Sequence, residues 1–517
     1  MTISAGPRVS VILVPGADST SSVSSLEQQT TTAWELIKCG PGPDRAAELN
    51  DALKRASGDF VVFLDAGDTV PPESLAQALE PVEHDERVDV VYTDEAWLDA
   101  DGVPRDVFFK PDWSPERLLG HNYIGRLTLY RAATITGVGG VRSEFIGAWE
   151  FDLTLRVTAA SQRIAHVPSV LYRHASRAAS ACDNDAGRRA LDEHLQERGL
   201  AAESETAADR AQNANSGIFR LRPRLREAPV VSIIIPAGGG VRRINGENVD
   251  LVANVVESVV QKSTYQNYEL IVVADTGVGP ATRERMAAAG GTRLRVIDFP
   301  GPFNFAHKVN LGALQSNGEH LVLLNDDTAV ITPNWIESML VFSRESEIGA
   351  VGAVLRFADG RYQHAGVVAV GGNPGHPYYG FPPDFPGYHE NLRVPCNYLA
   401  VTAACMMTRR SVFHEAGGLS LSFPSNYNDV DFCLKVRHRG YRVVFTPAAE
   451  LYHYESSSRG PGPVASHELE LLRTRWGTLL TNDPYYNPNF LPTTADLLTP
   501  ALPLANPTAG IAVDTPR

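Results

Sequence analysis

The stretch Gly-Glu-His-Leu-Val-Leu-Leu-Asn-Asp-Asp at residues 318–327 indicates which kind of fold the chain adopts. A small turn leads into an uninterrupted apolar run, and polar and acidic residues follow directly after it. A continuous apolar run is typical of a strand that is buried on both faces of a parallel sheet. Ligands of such sheets bind at the carboxyl ends of the strands, so Asn325, Asp326 and Asp327 form the first candidate site.

The residues before this stretch alternate between strand and helix patterns. We predict strands at 231–236, 269–274 and 294–298, and helices near 249–262 and 281–289. This alternation indicates βαβ units and a mostly parallel sheet, hence an α/β, Rossmann-like fold.

The first half of the chain repeats the same order of patterns. The sequence therefore predicts a tandem repeat of one α/β domain. Three pairs of segments carry the repeat: Val9–Gly16 with Val230–Pro236, Gly58–Asp68 with Gly318–Asp327, and Trp149–Arg156 with Asn428–Lys435.

These patterns divide the chain into four parts. We predict a first domain at 1–180, a helix and linker at 181–227, a second domain at 228–460, and a C-terminal helix and tail at 461–517. Further predictions are a solvated linker at 201–215, a break at Gly460–Pro463, a helix at about His467–Leu480 and a poorly ordered final twenty or so residues.

Composition excludes several classes of protein. The 517 residues are 43% hydrophobic and 21% charged, which is typical of folded domains, and the net charge of −14 argues against nucleic acid as the main partner. The five cysteines are scattered, as in a protein with reduced, mostly buried thiols. With no apolar run of membrane-spanning length and no signal-like N-terminus, we expect a soluble, cytoplasmic protein.

The polar residues after the predicted strands suggest metal chemistry. Oxygen ligands such as those of Asn325, Asp326 and Asp327 suit Mg²⁺ or Mn²⁺, although a polar turn or helix cap is the alternative. His453 either completes a metal site or is a buried structural histidine. Asp429 opens an amphipathic helix, where it acts as a cap or as a general base.

Taken together, these motifs resemble the inverting family-2 glycosyltransferases of the GT-A fold, in particular a bacterial subgroup with two tandem transferase domains. The resemblance covers most of residues 228–460. It is carried by residues 231–236, 269–275, 302–306, 310–313, 323–328, 403–410, 428–435 and 452–456, with support from Gln363–Gly366 and Asp483–Pro488.

The resemblance implies a role for each candidate residue. It implies a nucleoside-diphosphate sugar as donor, Mn²⁺ or Mg²⁺ as cofactor, and a hydroxyl-bearing glycan, lipid-linked or protein-linked acceptor, with homo-oligomerisation left open. The implied assignments are Asp327 and His453 as metal ligands, Asp429 as the catalytic base, and Pro236, Ala237, Asp275, Asn310, Asn325 and Asp326 as donor-binding residues.

The first repeat departs from the family pattern. Its second-strand loop, Cys39–Gly42, lacks the aspartate that binds the nucleotide base, and Gly67 stands where the third-position carboxylate is expected. Glu150 replaces the base aspartate, and Arg173 stands where the metal-binding histidine is expected. We therefore expect a degenerate, non-catalytic copy that serves as a docking or acceptor-positioning platform.

Three other interpretations remain open at this stage. In the first interpretation, both domains are active. In the second, the protein is a non-catalytic glycan-binding scaffold. The third is a nucleotidyltransferase, suggested by Gly290–Leu294, although this segment fits a helix C-cap turn better because it precedes the third strand. Gly238–Gly240 lacks the third glycine of a dinucleotide-binding fingerprint.

Overall fold

The computed structural model describes residues 9–16, 18–99, 101–175, 182–207, 217–244, 246–454 and 466–501. Two large sheets organise these residues, a seven-stranded sheet from the first half of the chain and a ten-stranded sheet from the second half. Helices pack on both sheets, so the structure confirms the α/β class.

The first half and the hairpin that follows it contain nine strands and seven helices among the described residues. In chain order they are β1 (Val9–Val14), α1 (Thr20–Glu27), β2 (Trp34–Lys38), α2 (Arg45–Arg55), β3 (Phe60–Asp65), α3 (Ser74–His84), β4 (Val88–Leu98), β5 (Pro104–Phe108), α4 (Pro115–Leu118), β6 (Thr128–Arg131), α5 (Ala132–Gly137), α6 (Trp149–Ala160), β7 (Arg163–His174), α7 (Asn184–Glu197), β8 (Ala202–Thr206) and β9 (Phe219–Pro223).

The second half contains the remaining elements. They are β10 (Val231–Ala237), β11 (Val241–Ile244), β12 (Glu247–Asp250), α8 (Leu251–Lys262), β13 (Tyr268–Ala274), α9 (Pro280–Gly290), β14 (Leu294–Asp298), α10 (Phe305–Leu314), β15 (His320–Leu324), β16 (Thr328–Val330), α11 (Trp335–Ser343), β17 (Ile348–Arg356), β18 (Tyr362–His364), β19 (Val368–Val370), β20 (Asn373–Gly375), β21 (Cys396–Asn397), β22 (Cys405–Arg409), α12 (Arg410–Glu415), α13 (Asn428–His438), β23 (Arg442–His453) and α14 (Ser466–Thr481).

The predicted strands and helices of the second half are confirmed to within about two residues. In the larger sheet β14, β13, β10 and β15 are parallel. Strands β13, β10 and β15 are fully or largely buried, as their continuous apolar sequences predict, whereas the edge strand β14 is only half-buried. The helix predicted from residue 249 begins at Leu251, because residues 247–250 form β12 and the Asp250 side chain caps the helix.

The two sheets share the order of their central strands. The first runs β2-β1-β3-β6-β4 and the second β13-β10-β15-β22-β17, with the same parallel and antiparallel pairings. The same side-chain contact recurs in both, because Ser10 donates to Glu35 at 2.6 Å as Ser232 donates to Glu269 at 2.6 Å.

The segment predicted as a solvated linker is partly structured. Strand β8 pairs with β9, and the Phe219 ring stacks on Phe151 with centroids 5.5 Å apart. The prediction for 201–207 is therefore wrong, because this hairpin has an apolar face that packs on the first half. Residues 208–216, the break at 460–463 and residues 502–517 lie outside the described residues.

Side chains of the C-terminal segment connect the two halves. The Asn487 amide nitrogen donates to both carboxylate oxygens of buried Asp94, at 3.2 and 3.0 Å, and to the Lys110 carbonyl at 2.8 Å. Asn397 donates to Glu116 at 2.6 Å across the same interface. The motif Asp483–Pro488 is thus part of the contact between the halves.

The five cysteines are free, and four of them are buried, as predicted. Within the part of the chain that the structure describes, every helix is too short or too polar to cross a bilayer.

Candidate functional site

Polar side chains converge at the carboxyl edge of the ten-stranded sheet. β16 pairs with β23 so that Thr328 lies opposite His453, which brings His453 Nε2 to 3.1 Å from Asp327 Oδ1. Both side chains are largely buried. Strand β23 runs from Arg442 to His453, which is why the histidine lies at this edge.

The orientation of the His453 ring is fixed by Gln363. The Gln363 amide oxygen lies 2.9 Å from His453 Nδ1 and accepts a hydrogen bond from it. Nε2 therefore carries the lone pair and faces Asp327 Oδ1, with the Asn325 amide nitrogen 3.2 Å away. Two electron-rich atoms that face each other in this way suit a cation between them. Sequence reasoning missed this role, because Gln363 stands out only as part of the motif Gln363–Gly366.

The donor set at this edge suits one kind of metal ion. In the described ranges no group of three or more histidine, cysteine and acidic side chains is placed to hold a metal. Asp327 and His453 form a pair, which matches Mg²⁺ or Mn²⁺ sites in which one or two protein ligands leave the other positions to substrate phosphates and water.

Asp326 has a different position from its neighbour. Its carboxylate is buried and accepts a hydrogen bond from the Gly238 backbone nitrogen at 2.8 Å, which ties the loop after β10 to this edge. Burial, assisted by the charge of Asp327, raises the pKa of Asp326 to about 7.

Asp275, after β13, pairs with a lysine that the sequence reasoning missed. Lys308 Nζ lies 2.6 Å from Asp275 Oδ2 and donates to the Ala237 carbonyl at 3.1 Å. The ammonium is almost completely buried. A cavity of about 390 Å³ lies beside the loop that carries Asp275, lined by Ala274, Thr276, Phe299 and neighbouring residues. Pro236 and Ala237 are both buried within β10, so Asp275, whose side chain is 25% exposed, is the residue of the three that a donor can reach.

Asn310 has a structural contact instead of a free amide. Its oxygen accepts from the Leu419 nitrogen at 2.9 Å, and its nitrogen donates to the Leu419 carbonyl at 2.8 Å. Asn50 makes the same pair of hydrogen bonds with Val141 in the first half. The Asn310 side chain therefore anchors this loop, and its donor-binding role stays a prediction.

Asp429 lies in the first turn of α13 and remains partly accessible. Its carboxylate accepts hydrogen bonds from the Ala403 nitrogen at 3.1 Å and from the Val430 nitrogen at 2.8 Å. Thr402 donates to His364 and the Ala404 carbonyl accepts from Asn325, so the segment 402–404 joins Asp429 to the metal-binding edge.

Asp431, the other acid of this helix, is structural. It is fully buried, and it accepts hydrogen bonds from Arg475 at 2.7 Å and from the Trp476 indole at 2.9 Å. Lys435 lies 3.1 Å from its second oxygen. The contacts with Arg475 and Trp476 hold the C-terminal helix α14 in place, so Asp429 is the acid of α13 that a substrate can reach.

The corresponding edge of the seven-stranded sheet holds an arginine. Arg126 is buried and lies 3.0 Å from Asp65 and 2.9 Å from Glu150. Strand register places Arg126 at the position of Ala404 and Asp65 at the position of Asn325. The starts of α6 and α13 place Glu150 at the position of Asp429.

Strand pairing corrects one expectation about this edge. It aligns Arg173 with Tyr452 and His174 with His453, so the histidine is present and the expected replacement by arginine is wrong. His174 Nδ1 lies 3.3 Å from Asp68 Oδ2. Of the two departures from the family pattern expected at this point, Gly67 and Arg173, only Gly67 remains. The carboxylate that Gly67 lacks is present one residue later, in Asp68.

Comparison with known proteins gives a family match. The profile described as Glycosyl transferase family 2 matches residues 17–124 and 232–417. Over 460 residues the chain is 36% identical to an uncharacterized protein, y4gI, of Sinorhizobium fredii, covering 85% of this chain and 49% of that one. Over 469 residues it is 34% identical to the O-antigen biosynthesis protein RfbC of Myxococcus xanthus, covering 88% and 35%. The chain therefore spans half or less of the length of these two relatives.

A solved structure of GalNAc-T7 with UDP, GalNAc and Mn²⁺ is 13% identical, with a TM-score of 0.40, over 52% of both chains. A mannosyltransferase of Pyrobaculum calidifontis in complex with GDP-Man and Mn²⁺ is 14% identical, with a TM-score of 0.33, over 59% of this chain and 76% of that one.

Proposed function

Because the chain belongs to glycosyl transferase family 2, we propose that it moves a sugar from a nucleotide-sugar donor to a hydroxyl acceptor, with inversion, at the edge formed by Asp275, Asp327, Asp429 and His453. The observation that carries this proposal is their arrangement: a lysine-paired carboxylate, a carboxylate–imidazole pair and an accessible carboxylate lie along one sheet edge.

The donor binds at the ends of β10, β13 and β15 in this proposal. Its base occupies the cavity beside Asp275, and the buried Lys308 pairs with that carboxylate and orients it. Asp327 and His453 hold Mn²⁺ or Mg²⁺, which when bound neutralises charge on the departing nucleoside diphosphate. Asp326 holds the Gly238 loop against the same edge.

Asp429 acts on the acceptor. The acceptor oxygen forms a bond to the anomeric carbon from the face opposite the leaving group, while the bond to the diphosphate oxygen breaks and the hydroxyl proton passes to an Asp429 oxygen. Backbone donors at Ala403 and Val430 orient the carboxylate for this transfer.

We also propose the division of labour between the halves. Residues 228–460 form the catalytic GT-A domain, residues 1–180 form a degenerate copy, 181–227 connect them, and 461–517 form a C-terminal extension. Given the O-antigen biosynthesis relative, the acceptor is a surface glycan or glycoconjugate, and the reaction takes place in the cytoplasm.

A donor screen tests the proposal. Thermal unfolding of the full chain is followed with UDP-, GDP- and dTDP-sugars, each with Mn²⁺ and with EDTA. We expect one nucleotide class to raise the melting temperature in Mn²⁺ only, and Asp327→Asn to remove that shift. Stabilisation that is equal in EDTA would contradict the metal site, and no stabilisation by any donor would contradict the donor site.

A further inference from the structure

A β-hairpin of the second half lies beside the proposed donor site. Strands β11 and β12 form it, between the end of β10 and the start of α8. Within the described residues these two strands pair with each other only, outside both large sheets. Since the ends of β10, β13 and β15 hold the donor in our proposal, the hairpin begins at the edge that the donor occupies.

The base of the hairpin is fixed to this edge on two sides. On one side the Gly238 nitrogen donates to Asp326 at 2.8 Å. On the other side a Cβ atom on Gly239 would lie 2.4 Å from the Gly277 carbonyl oxygen, so the two backbones approach each other closely. Gly239 also has φ at 79°, in the left-handed region that favours glycine. The hairpin is therefore anchored between Asp326 and the loop that carries Asp275.

The two arginines of the hairpin lie on its opposite faces. Strand pairing places Arg242 opposite Val249 and Arg243 opposite Asn248, and neighbouring residues of a strand alternate between faces. Arg242 and Val249 are half-buried, whereas Arg243 and Asn248 are exposed. Arg242 is therefore the arginine that faces the rest of the second half.

A hydrogen bond of Arg242 leads to the proposed metal ligands. Its guanidinium Nη1 donates to the carbonyl of Tyr454, the residue directly after His453. The Tyr454 nitrogen in turn donates to the Asp327 carbonyl at 2.9 Å. One residue, Tyr454, thus connects Arg242 to both Asp327 and His453.

The guanidinium of Arg242 has the chemistry that a diphosphate requires. It is planar, stays protonated and presents five N–H donors in a geometry that matches phosphate oxygens. Because the Tyr454 carbonyl is neutral, the contact with it does not neutralise the positive charge. Lys308, in contrast, pairs with Asp275 at the base end of the site. Arg242 therefore adds a positive charge beside the Asp327–His453 pair.

The first half differs at the positions of both cations. The helix caps place Glu48 at the position of Lys308. The short segment 15–19 joins β1 to α1, where residues 238–250 of the second half contain the hairpin. The two sheets share the order of their central strands, so this order does not require a hairpin. A role at the donor edge of the second half explains why the hairpin is there.

We propose that Arg242 binds the diphosphate of the donor and stabilises it as the leaving group, an inference that rests on the proposed glycosyl transfer. When the bond between the anomeric carbon and the diphosphate oxygen breaks, the electron pair stays on that oxygen. The guanidinium donates N–H groups to the phosphate oxygens and keeps its own protons. Arg242, Asp327 and His453 thus act on the same end of the donor.

Calorimetry of the full chain with Mn²⁺ tests the inference. The probes are UDP, GDP, dTDP and inorganic pyrophosphate, which has no base. We expect Arg242→Gln to bind pyrophosphate and the preferred nucleoside diphosphate at least about tenfold more weakly than the wild type, because the charge is lost. Arg242→Lys keeps the charge without the planar set of donors, and we expect a loss of about threefold. Arg243→Gln is the matched control on the exposed face and should bind like the wild type.

Thermal unfolding without ligand checks that the variants fold. If Arg242→Gln does not fold, Arg242→Lys decides, and an affinity equal to that of the wild type overturns the inference. Three results for folded Arg242→Gln also overturn it and leave the donor site intact: wild-type affinity, a loss that Arg243→Gln shares, or a loss for nucleoside diphosphates with pyrophosphate unchanged. Failure of the wild type to bind any of the probes would instead contradict the proposed function.

Discussion

The two sheet edges use related positions in opposite ways. In the second half, Asp327 faces His453 and Asp429 is accessible, so the edge has carboxylates to offer a cation and a substrate. In the first half, Arg126 pairs with both Asp65 and Glu150, which match Asn325 and Asp429, and Gly67 stands at the position of Asp327. A buried guanidinium therefore pairs with carboxylates in the first half where the second half offers them to a cation and a substrate.

The largest expected difference concerns the carboxylate beside each histidine. Asp327→Asn keeps the shape of the side chain but removes its charge, and we expect Mn²⁺-dependent donor affinity to fall at least about 100-fold. The matched variant Asp68→Asn should change that affinity less than about twofold. Calorimetry with and without EDTA measures both, and similar losses in the two variants would mean that the first half also binds donor.

The next comparison concerns the acids that open α13 and α6. Asp429→Asn cannot accept a proton, and we expect a turnover rate about 10²–10⁴-fold lower with donor affinity retained. Glu150→Gln should keep the turnover rate within about twofold of wild type when acceptor is saturating. Initial rates of sugar transfer measure the turnover of both variants. If Glu150→Gln removes one of two product linkages, both halves are catalytic.

A smaller effect is expected where the halves differ at the start of a helix. Lys308→Met leaves the Asp275 carboxylate without its cation, and we expect about tenfold weaker donor binding. Glu48→Gln changes the matching position of α2 and should leave donor affinity unchanged. Thermal unfolding of both variants checks that they fold; an unchanged affinity in folded Lys308→Met would place the base elsewhere.

The smallest effect is a pH dependence of stability in the first half. The pKa of His174 is raised to about 9 from 6.5, so its contribution is fully present below about pH 6.5 and is lost as the pH rises through 9. We expect His174→Asn to reduce the loss of unfolding free energy between pH 6.5 and 9.5 by on the order of 2 kcal/mol.

His194→Asn is the control for this measurement. Burial lowers the pKa of His194 to about 4, so this side chain is neutral throughout the same range. Urea unfolding of His194→Asn at pH 6.5 and 9.5 should therefore give the same difference in unfolding free energy as the wild type. Equal pH dependence of His174→Asn and the wild type would mean that His174 is not held in its charged form.

Much of the fold is predictable from local sequence. Strands such as β10, β13 and β15 are continuous apolar runs, and Asp44, Asp250 and Asn304 cap their helices by local hydrogen bonds. These features depend on neighbouring residues, so periodicity and composition identify them.

The contacts that define the two edges depend on residues far apart in the sequence. Lys308 was missed because it appears as one charged residue in an ordinary helix, and only the packing of α10 on β10 brings it to Asp275. Arg126 was missed for the same reason, since its partners are 61 residues before it and 24 residues after it. The sequence comparison aligned Arg173, not His174, with His453, because motif spacing cannot show strand register.

The hydrogen bonds between Asn487 and Asp94 have a consequence for synthesis of the chain. Asp94 is fully buried, yet two of its partners, Asn487 and Asn489, are translated 393 and 395 residues later. At about 5–20 residues per second, a ribosome needs roughly 20–80 s to supply them. During this time a buried acid of the emerging first half lacks two of its hydrogen-bond donors, so we expect the first half to reach its native packing only once residues 487–489 have left the ribosome.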